Sequence, residues 1–172
     1  MKKTARTTTG ETKEYSLSLT DFEHAAALSE ETIAYSATLV VNGRPVATVK
    51  NRGRGGMSMI HAHRPFDETK PVLKEVREHI KGLPEIEAEV NGHSFTYAHT
   101  LENTADKLAG RIVWAEENRR SMKTKVFGVL ESEDEAVVYS APDRPAIREK
   151  IKEKEDIAFF LNDCLGSASI RL

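Results

Sequence analysis

Six consecutive residues in the first third of the chain, Asn51-Arg52-Gly53-Arg54-Gly55-Gly56, have the composition of an anion-binding loop. Glycine adopts positive φ angles and allows close approach to the backbone, so successive N–H groups can point into one concavity that accepts an anion. Arginine adds planar donors that match phosphate and carboxylate groups. The loop predicts an anion site formed by Asn51, Arg52, Gly53, Arg54, Gly55 and Gly56.

Two histidines and another arginine follow this loop. His61 and His63 are two positions apart, so on a strand their imidazoles share a face and can approach one phosphate or one metal ion. The segment from Lys50 to Arg64 carries four Lys or Arg side chains and no acid, within a chain of formal net charge −2. We therefore add His61, His63 and Arg64 to the candidate ligand-binding residues. No recognised metal-ligand spacing accompanies the histidines, and we predict no metal site.

The same residues have a purely structural interpretation. A bulged connection between two strands, with solvated arginines, would have this composition, and the loop matches neither the Walker pattern nor the dinucleotide fingerprint. A second basic group, at the end of a predicted long helix, is explained by the helix dipole alone. This group consists of Arg119, Arg120, Lys123 and Lys125. The sequence does not show whether it lies near the loop in space. No serine, threonine or cysteine has a catalytic context, so we predict no catalytic residue and no cofactor.

Size and composition are those of one globular domain. The chain has 172 residues, of which 39% are hydrophobic and 30% charged, with 27 acids against 25 bases. We expect a mobile tail over residues 1–13 and a single domain over 14–172. The near balance of charge does not favour general coating of nucleic acid. The single Cys164 and the lack of a long apolar run predict a cytoplasmic protein without a membrane partner.

Hydrophobic periodicity and turn residues predict an α+β fold, in which an antiparallel sheet built from hairpins packs against two to three helices. Asn42-Gly43 between β-branched runs is a strong hairpin signal. Further strands are predicted at 15–19, 57–63, 86–97 around Asn91-Gly92, and on both sides of an acidic, solvated tip at 131–135. Asp21 to Glu31 and Ile157 to Leu161 fit no single period.

Three helices are predicted. The first covers Lys70 to Gly82 with Pro71 in its first turn. The longest lies in the middle of the chain, from Leu101 to about Met122, with Thr100 as its N-cap. A short third helix follows Asp143, which we expect to cap it. Asn162-Asp163 is expected to end the last element.

The segment from Ala37 to Gly56 resembles small uncharacterised proteins encoded by bacteriophages, prophages and other mobile elements. Those proteins carry a strand, Asn-Gly-Lys/Arg, a second strand, and Asn-x-Gly-x-Gly-Gly, and tend to end in a tripeptide like Leu161-Asn162-Asp163. Arg52 replaces their usual acidic or amide residue, which makes this loop more basic. The resemblance implies a phage or mobile-element origin and a place in the host cytoplasm.

Several functions fit these observations. Our main hypothesis is a non-enzymatic binding protein of phage type, which counters host defence by sequestering an anionic, nucleotide-like ligand or by blocking the acidic surface of a host protein. A nucleic-acid-binding module is one alternative, with phosphate contacts that weaken in salt. A structural or assembly protein of a virion is the other. Exposed hairpin edges also allow a homo-oligomer.

Overall fold

A computed structural model describes residues 13–90, 92–130 and 136–172. Over these residues the fold is α+β with a long middle helix, as predicted. The strands are Ser16–His24 (β1), Ala34–Val41 (β2), Arg44–Arg52 (β3), Met59–Ala62 (β4), Ile86–Val90 (β5), His93–Tyr97 (β6), Val126–Leu130 (β7), Ala136–Tyr139 (β8), Ile157–Phe160 (β9) and Ala168–Arg171 (β10). The helices are Phe66–Lys81 (α1), Leu101–Asn118 (α2) and Pro145–Lys152 (α3), with short 3-10 turns at Ala26–Leu28, Ser121–Lys123 and Leu161–Cys164.

The strands of the described chain form three antiparallel sheets. The largest has the order β10-β1-β2-β3-β4; β5 pairs with β6, and β7 lies between β8 and β9. The β2–β3 hairpin is confirmed, since Asn42 and Gly43 both have positive φ (49° and 78°), as a tight two-residue turn requires. The expected tail over 1–13 lies outside the described residues except for its last residue. The acidic tip at 131–135 and Asn91 also lie outside them.

One face of the large sheet carries the core. Leu17, Leu19, Leu39 and Val49 are fully buried there, together with residues of α1 and α2. The opposite face, which we call the outer face, holds alternate residues that are small and polar or basic and are half-buried or exposed; they include Ser18, Ser36, Thr38, Thr48, Lys50 and His61. The alternation follows from the two-residue period of a strand.

Helix α2 is the packing centre of the domain. Its apolar stripe is buried as predicted, with Leu101, Ala105, Leu108, Ile112 and Ala115 each at most 1% exposed. Thr100 is its N-cap: the Thr100 Oγ1 accepts a hydrogen bond from the Asn103 amide at 3.1 Å, and the Asn103 Oδ1 accepts one from the Thr100 amide at 2.8 Å. None of the helices in the described chain is long and apolar enough to cross a lipid bilayer.

Helix α1 begins four residues earlier than predicted, and Pro71 therefore lies inside it rather than in its first turn. Thr69 fixes this start because its Oγ1 donates to the His63 carbonyl at 2.6 Å. Asp67 and Glu68 in the first turn complement the helix dipole.

The predicted cap of α3 is wrong. The N-cap position is Arg144, without a side-chain cap, while the Asp143 carboxylate accepts two hydrogen bonds of 2.6 Å from the Arg148 guanidinium. Because the Asp143 carboxylate is held by two charge-assisted hydrogen bonds in an ion pair, it does not accept hydrogen bonds from the first amides of the helix.

Asn162-Asp163 does not end the last element. These residues lie in a 3-10 turn, and β10 follows it to pair with β1 through Leu19↔Ala168 and Ser16↔Arg171. The segment after Asp21, which fitted no period, continues β1 to His24 through a shift of register and then forms the 3-10 turn at Ala26–Leu28.

Replacing Thr100 with alanine should lower the free energy of unfolding by about 1 kcal/mol, because the first turn of α2 loses its cap. For a domain of this size the midpoint of thermal unfolding should fall by about 3 °C. Thr100→Ser keeps the hydroxyl and serves as the control, with a midpoint close to wild type. An equal fall in both variants would show that the threonine methyl group, not the cap, stabilises the helix.

Candidate anion-binding site

The predicted loop begins at Asn51, whose side chain is fully used inside the protein. Its Oδ1 accepts hydrogen bonds from the Gly53 amide at 2.9 Å and the Thr32 hydroxyl at 3.0 Å. Its Nδ2 donates to the Gly56 carbonyl and to the Asp106 carboxylate, both at 3.3 Å. Asn51 is only 8% exposed. It therefore sets the shape of the loop.

The glycines of the loop are needed for its conformation. Gly53, Gly55 and Gly56 have φ angles of 78°, 76° and 87°, which favour glycine. A Cβ on Gly53 would overlap the Leu28 carbonyl, and a Cβ on Gly55 would overlap the Glu31 carboxylate. Since the Gly53 amide has a partner and an acid lies beside Gly55, anion binding here depends on side chains more than on these amides.

A polar network joins the loop to helix α2. The Asp106 carboxylate accepts hydrogen bonds from the Ser58 amide at 3.2 Å, the Ser58 hydroxyl at 2.5 Å and the Tyr35 hydroxyl at 3.2 Å, besides the one from Asn51. Ser58 is 3% exposed, and its hydroxyl lies 2.8 Å from that of Tyr35. Burial raises the pKa of Tyr35 well above its usual value, with a smaller contribution from the nearby Asp106 carboxylate, although the contact between the Tyr35 and Ser58 hydroxyls opposes it.

A cavity of about 750 Å³ opens on the outer face of the large sheet, beside the 3-10 turn at Ala26–Leu28. Basic or titratable nitrogen-bearing side chains surround it: His24, Lys50, Arg52, Arg54 and His61. Its apolar wall is formed by Ala25, Leu28, Ala34 and Met59. Ser36, Tyr35, Asn51 and Glu23 complete the lining.

The strand period and register bring the cations together. Lys50 and Arg52 are two positions apart on β3 and so share the outer face. Lys50 lies opposite Met59 of β4, and His61 follows two residues later on the same face. Over residues 13–90, 92–130 and 136–172, neither Lys50, Arg52 nor Arg54 forms an ion pair. The cavity thus presents three cations that have no ion-pair partner in the described part of the chain.

The structure separates the nine predicted site residues into two groups. Asn51, Arg52, Arg54 and His61 line the cavity, whereas Gly53, Gly55, Gly56, His63 and Arg64 do not. The His63 Nε2 lies 2.9 Å from the Thr48 hydroxyl, and the Arg64 guanidinium lies 5.6 Å from the centre of the Phe66 ring. Sequence reasoning missed Glu23, His24 and Leu28, which come from the segment whose period was ambiguous.

The second basic group does not join this site. The loop contacts α2 at Asp106, while Arg119 follows the other end of the helix, about 20 Å along its axis at 1.5 Å per residue. Arg119 pairs with Glu116 at 2.6 Å and lines, with Lys123, a separate cavity of about 370 Å³.

Among the residues that the structure describes, no three His, Cys, Asp or Glu side chains come together as metal ligands. Comparison with family models, curated proteins and solved structures gives no match for this chain. The site is therefore interpreted from its own geometry.

Gly53→Ala should destabilise the protein by roughly 3 kcal/mol or more, since the new Cβ meets both a positive φ and the Leu28 backbone. Gly56→Ala is the matched control, because Gly56 has the same sign of φ but no atom within 4 Å of an added Cβ. That variant should lose only about 1–2 kcal/mol. Urea unfolding measures the free energy of unfolding of both variants. Equal losses in the two would show that the Leu28 backbone moves aside for the new Cβ at no cost in stability.

Tyr35→Phe should flatten the alkaline loss of stability. An unfolded tyrosine loses its proton at about pH 10, whereas Tyr35 in the folded protein keeps it to higher pH. Each pH unit above about 10 therefore lowers the free energy of unfolding by up to about 1.4 kcal/mol. Chemical denaturation between about pH 9 and 11 measures the slope. Tyr97→Phe, at an exposed tyrosine, should keep the wild-type slope; the same slope in Tyr35→Phe would contradict the buried network.

Proposed function

We propose that the protein is a non-enzymatic binding protein that holds an anionic, nucleotide-like small molecule in the cavity on the outer face of the large sheet. The observation that carries the proposal is a group of cations, Lys50, Arg52 and Arg54, which have no ion-pair partner among the described residues and lie beside an apolar wall. The buried Ser58 and Cys164 do not line this cavity. Burial raises the pKa of Cys164 to about 11, which keeps its thiol protonated.

The charge of the cavity suits a phosphorylated molecule. Arg52 and Arg54 can each offer two parallel N–H donors to a phosphate, and Lys50 adds a point charge. His61 borders the same space and can donate a further hydrogen bond. Because these side chains are placed by β3, β4 and the connecting loop, a multivalent anion would neutralise repulsion that the folded chain already contains.

The apolar wall favours a ligand with a ring over a simple inorganic anion. Leu28 is 57% exposed and Met59 is 39% exposed, although both are large apolar side chains. A planar base or sugar ring lying between them would remove this surface from water, at about 25 cal/mol per Å². The volume of about 750 Å³ lies in the range of sites that hold small organic molecules.

A long single strand of nucleic acid is less well supported. Proteins that bind such strands stack successive bases on aromatic side chains. Among the described residues that face outward on β2, β3 and β4, none is Phe, Tyr or Trp. The cations alone would fit nucleic acid or an acidic protein surface equally well, so these remain the alternatives.

The resemblance to mobile-element proteins extends this proposal to a biological role. Sequestration of a nucleotide signal of the host would lower its free concentration and so weaken a defence that depends on it. A stoichiometric binder acts in this way without chemistry, provided that its dissociation constant lies below the working concentration of the signal.

Thermal unfolding with a panel of nucleotides, cyclic dinucleotides, ADP-ribose and short oligonucleotides tests the proposal. A ligand present at 100 times its dissociation constant adds about 2.7 kcal/mol, which corresponds to roughly 5–10 °C here. We expect such a shift in the wild type and its loss in the double variant Arg52→Ala/Arg54→Ala. Both arginines are exposed, so this variant should fold.

Arg119→Ala/Arg120→Ala is the matched control, since it removes the same charge at the far end of α2 and should keep the full shift. A shift retained by Arg52→Ala/Arg54→Ala would place the ligand elsewhere. If no compound shifts the wild type, the proposal fails, and an acidic partner protein becomes the hypothesis to test by co-purification.

A further inference from the structure

We propose that Glu23 is a specificity-determining residue that accepts hydrogen bonds from the donor end of the ligand. The site then selects a molecule with an anionic group at one end and a pair of O–H or N–H donors at the other, as in a ribonucleotide. This inference rests on the proposed function, because it deepens the assignment of the same cavity. The ligand accepts hydrogen bonds at its anionic end and donates them at the other.

Glu23 lies in line with the cations on the outer face. The register pairs Glu23 with Ser36, Ser36 with Lys50, and Lys50 with Met59, so these four residues form one row across β1 to β4. Neighbouring strands are 4.7–4.9 Å apart, which places the backbone of Glu23 about 10 Å from that of Lys50. Arg52 lies one step along β3 on the same face. Within this row the Ser36 hydroxyl lies between the acidic Glu23 and the basic Lys50, and Met59 follows beyond Lys50.

A shift of register puts Glu23 in this row. Thr20 pairs with Thr38, and without a shift the residue opposite Ser36 would be Phe22. The irregularity at Asp21, whose φ is 49°, adds one residue, and a one-residue slip exchanges the two faces of a strand. Phe22 consequently stacks on Tyr35, with ring centres 5.3 Å apart, and Glu23 lines the cavity.

The acid that lines the cavity, within the described chain, is Glu23. Its side chain forms no hydrogen bond or ion pair with the described residues, although Lys50 borders the same space. An ionised carboxylate is an acceptor with two oxygens. It matches two donors that lie side by side, such as the vicinal hydroxyls of a ribose or the N–H edge of guanine. The apolar wall of the same cavity would cover the ring of such a ligand.

Isothermal titration of wild type and Glu23→Gln with five probes tests this inference. Inorganic pyrophosphate reports the anionic end alone. ADP against 2′,3′-dideoxy-ADP reports the ribose hydroxyls, and GDP against inosine diphosphate reports the guanine amino group. In the wild type we expect ADP or GDP to bind more tightly than its analogue and than pyrophosphate.

Glu23→Gln should weaken the preferred nucleotide about tenfold and abolish its advantage over the analogue. It should leave pyrophosphate binding unchanged or tighter, because a like charge near an anion has been removed. Glu30→Gln is the matched control, since Glu30 is an exposed acid of the same segment that does not line the cavity. It should change neither affinity.

An equal change for all five probes would show that Glu23 acts only by its charge, and no change would show that it has no contact with the ligand. Either result overturns this inference and leaves the proposed function standing if pyrophosphate or any nucleotide binds. If no probe binds to the wild type, this inference is overturned, and the proposed function fails with it only when the thermal panel also gives no shift.

Discussion

The Asp106 carboxylate is the group on which the shape of the site depends. It accepts hydrogen bonds from the Ser58 amide and hydroxyl, from Tyr35 and from Asn51, so it joins helix α2, β2 and both ends of the β3–β4 loop. A partly buried carboxylate is tolerated when its lone pairs are used, and it is costly when one partner leaves. The loop therefore cannot move away from α2 without leaving a charge unsatisfied, and the backbone that carries Arg52 and Arg54 is held against the helix at Asn51 and Ser58.

The two faces of β3 separate the scaffold from the site. Asn51 faces inward and uses all its hydrogen-bonding capacity to hold the loop, whereas Lys50 and Arg52, one residue to either side, face outward without ion-pair partners among the described residues. Because successive side chains of a strand point to opposite faces, two adjacent positions can have opposite roles. The inward residues make the backbone rigid, and the rigid backbone holds cations close to one another despite their repulsion.

Local signals explain what could be predicted from the sequence. Asn42-Gly43 specifies a turn that few other pairs can form, and the stripe and cap of α2 depend on residues within a few turns of one another. By contrast, β10 is a four-residue strand that is stabilised by pairing with β1, some 150 residues away. Its own hydrophobic pattern is too short to predict it. Asp106 likewise looks like an ordinary polar residue of a helix until the fold brings the loop to it. The basic loop was recognised from composition, but the cavity needs Glu23 and Leu28, whose segment changes from strand to 3-10 turn within a few residues.

The wall of the cavity is attached to the same loop that supplies its charge. The Gly53 carbonyl accepts hydrogen bonds from the amides of Glu30 and Glu31 at 2.9 Å and of Thr32 at 3.3 Å, which ties the segment after Leu28 to the end of β3. Gly53 can lie this close because it has no Cβ. The apolar wall and the cations are thus fixed relative to one another when the protein folds. Ordering them costs free energy at that stage, so a ligand that enters later loses little affinity to the ordering of the site.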